Sequence, residues 1–136
     1  MADFSIAYKR TKIFEGGYVN DPQDAGGETY KGVSRRANPN WQGWGIIDAA
    51  KKEQNFPKNL NGNSALELLV ENLYRSNYWN AVWGDKITNQ TVANDMFDTA
   101  VNMGVSRSIK LAQKQFKMPE TGTINNELLT KLNSVL

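Results

Sequence analysis

The chain has 136 residues, 40% of them apolar and 22% charged, the proportions of one ordinary globular domain with a core of its own. Sixteen Lys and Arg against fourteen Asp and Glu leave a net charge of +2, too small to steer a polyanionic partner strongly. There is no His and no Cys, which excludes a Ser-His-Asp triad, a Cys-His nucleophile, His- or thiolate-bound metal and disulfides; any acid–base chemistry near neutral pH falls to carboxylates, Lys or Tyr.

Residues 3–14 fit a short amphipathic helix. Asp3 is placed to cap it, and Phe4, Ala7, Tyr8, Thr11 and Phe14 share a face. Lys9, Arg10 and Lys12 suit its negative end, and Gly16-Gly17 stops it. Residues 16–45 differ in kind: they hold most of the glycines, two prolines and the turn-rich run from Asn20 to Gly27. The β-prone pieces Tyr18-Val19, Thr29-Tyr30 and Val33 lie between these turn signals, so a small hairpin lobe is expected. Residues 45–53 read as a short helix ending near Asn55-Phe56-Pro57. Residues 64–80 read as a longer one, opened by the capping box Ser64-Ala65-Leu66-Glu67. Thr91 or Asn89 caps the next helix, whose apolar face runs from Val92 to Val101 and which ends at Gly104. Two shorter helices then bracket the turn Pro119-Glu120-Thr121-Gly122, one with Ile109, Ala112 and Phe116, the other with Leu128, Leu129 and Leu132. The class is mainly α with some β: helices around a glycine-rich β-prone lobe that follows the first of them.

Glu15 stands where the first helix ends, behind Ile13-Phe14. Apolar neighbours and the negative helix end both raise a carboxyl pKa, which a general acid requires; a solvated residue that merely closes the helix fits the same position. Asp21, Asp24 and Glu28 follow on the lobe. Two carboxylates across a cleft can cleave a glycosidic bond, one protonating the leaving oxygen while the other activates water or stabilises the oxocarbenium ion. Asp21-Pro22 also reads as a plain turn opener.

The run from Glu15 through Ser34, with its Glu-Gly-Gly-Tyr opening at Glu15–Tyr18, closely resembles the opening signature of glycoside hydrolase family 108. These are lysozyme-like N-acetylmuramidases of phages and bacteria, some described as secretion activators. The resemblance implies a lysozyme-like fold and makes Glu15 the catalytic acid. Phage-type lysozymes, more distantly similar, place an Asp nine positions after the Glu and a Thr shortly beyond. Asp24 matches that interval, with Asp21 as competitor, while Thr29 falls one short of the third position, where Tyr30 stands. Phe97–Gly104 resembles the start of the family's C-terminal peptidoglycan-binding region, and Ala112–Phe116 and Thr121–Asn125 resemble its later helix and turn. The expected organisation is therefore a muramidase region over 1–95 and a peptidoglycan-binding-like helical region over 96–136, in one globule and shortened at its end.

Asp95, Asp98 and Asn102 form a polar stripe on the fourth long pattern, suited to a sugar-binding wall or to a solvated helix face. Asp21, Tyr30, Asp98 and Asn102 are the expected substrate contacts, beside Glu15, Asp24 and Thr29 as catalytic residues. Trp41, Trp44, Trp79 and Trp83, with Tyr18, Tyr30 and Tyr78, supply aromatics on which sugar rings stack, although Trp79 and Tyr78 continue an apolar helix face. No EF-hand order, Walker pattern or Gly-x-Gly-x-x-Gly is present, so neither metal nor other cofactor is expected. Arg35-Arg36 and Lys51-Lys52 are isolated pairs, so no nucleic-acid partner is expected either.

The expected function is hydrolysis of the β-1,4 bond between N-acetylmuramic acid and N-acetylglucosamine, in peptidoglycan glycan strands, by a monomer. The alternatives are a lytic transglycosylase and a non-catalytic wall-binding or secretion-accessory module. No stretch reaches the roughly 18 residues of a spanning helix, so no stable membrane insertion is expected. Met1-Ala2-Asp3-Phe4 lacks the layout of a signal peptide. Action on the wall, in the periplasm or outside the cell, then calls for release by a holin-type or other route.

Overall fold

A computed structural model describes residues 1–11, 17–21, 23 and 27–135. The chain divides into two compact units, Met1–Lys12 with Tyr74–Leu136, and Ile13–Leu73. As expected, the described residues are mainly helical, with one small antiparallel sheet after the first helix. No helix among them is long and apolar enough to cross a membrane.

The described residues of the first unit form helices and turns. Helix α1 (Phe4–Arg10) is capped by Asp3, whose carboxylate accepts from the Ser5 amide at 2.8 Å. Its apolar face places Phe4 against Trp79 and Phe97, with ring centroids 5.6–6.0 Å apart in edge-to-face pairs. Such pairs add to what burial alone contributes. Trp79 and Phe97 have no exposed surface, which makes this triangle the centre of the unit's core. Helix α4 (Gln90–Met103) is capped by Asn89, the second of the two expected candidates, through the Val92 amide at 3.1 Å. It ends at Gly104, whose φ of 98° is open to glycine, and the same residue starts α5 (Val105–Gln115). Ser108, 2% exposed, closes the Met96 carbonyl across this corner at 2.8 Å. Asn125 caps α6 (Asn126–Asn133).

One buried side chain organises the α5–α6 connection. Gln113, 1% exposed, donates to the Thr121 hydroxyl at 2.9 Å and accepts from the Gly122 amide at 3.0 Å. A buried amide is tolerated only when so satisfied.

The second unit carries the sheet. Strands β1 (Tyr18–Asn20), β2 (Glu28–Tyr30) and β3 (Val33–Ser34) lie in that order, with Tyr18 opposite Tyr30, Asn20 opposite Glu28 and Thr29 opposite Ser34. The β2–β3 turn is Lys31-Gly32, both at positive φ (47° and 83°), a two-residue hairpin of the type that matches strand twist. Helix α2 (Gly43–Ala50) starts and ends slightly earlier than the sequence pattern predicts. At its first residue, a side chain in place of Gly43 would overlap the Trp41 indole, which folds back across it.

Helix α3 (Ser64–Tyr74) runs on through a π-helical turn at Arg75–Trp79, so the expected 64–80 helix is present with a change of winding in its last turn. Its cap is a correction. The Asn63 carboxamide, not the Ser64 hydroxyl, accepts from the Leu66 amide at 3.0 Å. Glu67, expected to close the box, turns to Lys31 and Tyr30 instead. Asn and Ser cap about equally well, so the pattern fits either register.

Candidate active site

Glu15 and Asp24, the expected catalytic carboxylates, lie outside the described residues. The others can be placed. Asp21 is exposed and its carboxylate accepts from the Gln23 amide at 2.9 Å, the turn-opening role that was its plainer reading. Thr29 and Tyr30 are neighbours on β2 and so point to opposite faces of the sheet. Thr29 shares its face with Val19 and Ser34, while Tyr30 is 2% exposed, with its hydroxyl 3.5 Å from the Glu67 carboxylate. Burial first, then Glu67, pushes the Tyr30 phenol up to about 12, so it stays protonated at neutral pH. In the other unit, Asp98 is half-buried on α4 and the exposed Asn102 donates back to the Asp98 carbonyl at 2.9 Å. Asp95 is exposed and borders a cavity of about 310 Å³ with Met96, Leu111 and Phe116.

The lobe is held to α2 by a charge network that the sequence pattern did not reveal. The Glu28 carboxylate accepts from the Tyr18 hydroxyl at 2.6 Å and Arg35 at 3.0 Å, and pairs with Lys51. Arg35 forks onto both oxygens of Asp48 at 2.8 Å, and Lys51 reaches the same group at 3.2 Å. Arg35 and Lys51, which read as isolated basic pairs, are thus committed internally. Burial alone would raise the Glu28 pKa; hydrogen bonds from Lys51, Tyr18 and Arg35 outweigh it and hold the group below its ordinary value. The Arg35 fork does the same for Asp48, against a smaller opposing effect of burial. Glu28 is therefore an ionised structural carboxylate rather than a proton donor.

That network gives the protein a pH signature. Both carboxylates bind protons less readily folded than unfolded, so stability rises with pH through the acid range. Their contribution is complete above the unfolded pKa values near 4 and is lost as pH falls toward the lower folded ones. The drop in urea midpoint between pH 6 and pH 3 is expected to be smaller in the E28Q/D48N double variant than in wild type. Equal drops would show the network to be energetically silent.

Beside the sheet lies a groove of about 460 Å³. It is lined by Gly17, Tyr18 and Tyr30 from the sheet side of the chain, by Pro57, Leu60 and Asn61, and by Lys31 and Lys58, which bring the charge. Tyr18 is braced edge-on by Phe56 at 4.8 Å. The Lys31 ammonium is tied to Glu67, which fixes the hairpin tip on α3. None of the four tryptophans lines this groove. Trp44 is buried and donates to the Asn38 carbonyl at 2.8 Å, Trp41 stands edge-on to it, Trp79 is core, and Trp83 sits under the Lys86 ammonium at 4.1 Å.

The fold is similar to that of Brucella abortus SagA, with a TM-score of 0.64 and 26% identity over 98% of this chain and 70% of that one. It is the lysozyme-like architecture expected from the sequence. No curated protein matches the chain. The family profile Glycosyl hydrolase 108 matches residues 8–104, which take in the lobe, α2, α3 and α4. The chain belongs to that family of glycoside hydrolases.

Proposed function

We propose that the chain is a peptidoglycan hydrolase that cleaves the β-1,4 bond between N-acetylmuramic acid and N-acetylglucosamine. The observation that carries this reading is the family match over residues 8–104, which contains the whole Glu15–Ser34 signature. Glu15 protonates the leaving glycosidic oxygen as the bond to the anomeric carbon breaks. Asp24, or Asp21 in its place, stabilises the positive charge on the ring or activates the water whose hydroxyl completes the new reducing end. Tyr30 braces the groove wall, while Thr29, on the opposite face of β2, faces away from it and does not orient the water there. Glu28 and Asp48, held ionised by Arg35 and Lys51, keep the lobe in place beside the groove. Gly17, which lines the groove, follows Glu15 by two positions in the chain. The protein acts as a monomer on glycan strands of the wall, in the periplasm or outside the cell.

Mass spectrometry of purified peptidoglycan digested by the protein tests this directly. Fragments ending in reducing N-acetylmuramic acid are expected. Anhydro ends, lighter by one water, would make the protein a lytic transglycosylase, and bound but undigested strands would make it a wall-binding module; either result overturns the proposal.

A further inference from the structure

Among the described residues, the groove is lined by two lysines and no carboxylate. The two nearest acids are already committed. Glu28 is held by Tyr18, Arg35 and Lys51, and Glu67 by Lys31 and Tyr30. Lys31 spends its charge on Glu67. Lys58 has no ion-pair partner among the described residues.

Its backbone, by contrast, is well fixed. Lys58 opens the 3-10 turn Lys58–Leu60, pinned by Leu60 at 1% exposure, by the Leu60 backbone amide donating to the Pro57 carbonyl at 3.0 Å, and by the Asn59 side-chain Nδ2 donating to the Ala50 carbonyl at 3.0 Å. A well-held backbone thus presents an ammonium with no ion-pair partner among the described residues at a groove otherwise lined by two tyrosines, proline, leucine, a neutral amide and the Glu67-bound Lys31. The part-exposed Tyr18 ring can receive the C–H face of a sugar, and a single point charge suits a monovalent anion better than a polyanion.

We infer that Lys58 is the anion anchor of this groove, holding a carboxylate borne on the 3-substituent of a muramic acid residue. The inference rests on the proposed action on peptidoglycan. On strands stripped of peptide that group is the lactyl carboxylate; on peptide-bearing strands the lactyl group is an amide, and the available carboxylates belong to the stem peptide. Lys58 would in this way distinguish muramic acid from N-acetylglucosamine, which carries no acid, and set the register of the strand in the groove.

Steady-state digestion of soluble, uncross-linked glycan strands, prepared with and without stem peptides, tests the assignment. Lys58→Met keeps the apolar stem and removes the charge. It is expected to raise KM roughly three- to tenfold with kcat changed less than about twofold, the size expected for losing one partly exposed charged contact. The effect should fall on one strand type only, naming the lactyl or the peptide carboxylate as the partner, and Lys58→Arg should restore most of the affinity. Unchanged KM for Lys58→Met on both strand types, or an Lys58→Arg variant as impaired as Lys58→Met, overturns the inference. Wild-type protein that cleaves neither strand type overturns the hydrolase reading instead. Calorimetric binding of the same strands then still decides Lys58: weaker binding by Lys58→Met upholds the anchor, and equal binding removes it.

Discussion

Glu15→Gln is expected to lower peptidoglycan turnover roughly 10²- to 10⁴-fold, the range by which a positioned general acid accelerates a reaction. Glutamine has nearly the shape of glutamic acid and keeps a hydrogen-bonding head, but has no proton to give to the leaving oxygen. The loss should appear in kcat and kcat/KM together, because the missing interaction is made in the transition state. The thermal midpoint and the binding of intact strands should stay near wild type. Asp24→Asn and Asp21→Asn, assayed alongside, decide which carboxylate assists, since only the true partner should approach the loss seen at Glu15. Glu28→Gln is the informative contrast. Its carboxylate is already ionised by three donors, so its replacement acts through the stability of the lobe and not through the proton inventory. Turnover by Glu15→Gln within a few-fold of wild type would remove Glu15 from the chemistry.

Much of the architecture was legible because it follows from local rules. Apolar spacing located the helices, Asp3, Asn89 and Gly104 marked ends, and glycine clusters between β-prone pieces announced the sheet. What was not legible depends on residues far apart in the chain. Glu28, Arg35, Asp48 and Lys51 fall at irregular intervals on a strand, a turn and a helix, and no periodicity links them before the lobe is packed. The hairpin turn is built on Lys31 where Asn is the favoured residue at positive φ, and the ion pair with Glu67 gives the lysine a use there. The same contact explains why the expected capping box failed to close: Glu67 is used by the neighbouring hairpin. Lys58 carried no signal at all, since a lysine beside a proline looks like any surface turn until Leu60 and Asn61 are seen to line the groove.

In the helical unit, Gly84 lies where a side chain would collide with Trp79. Gly84 opens the 3-10 turn Gly84–Lys86 and is buried with its α-carbon against the face of Trp79, so that an added Cβ would fall inside the indole's van der Waals surface. The indole cannot give way. It has no exposed surface, it packs edge-to-face on Phe4 and Phe97, and its N–H donates to Asp85 at 2.8 Å. Gly84→Ala is therefore expected to destabilise by about 1–3 kcal/mol through overpacking. Trp79→Ala, which leaves a cavity in the centre of the core, should cost about 3–5 kcal/mol. The two must not add. With the indole gone the new methyl has room, and because Gly84 is not at positive φ an alanine there is unstrained and slightly restricts the unfolded chain. In the Trp79→Ala background Gly84→Ala should thus be neutral or mildly stabilising. Denaturant unfolding of the four proteins in this cycle measures the coupling, expected to be about 1–3 kcal/mol. An equal cost for Gly84→Ala in both backgrounds would mean that the ring is not what the glycine accommodates.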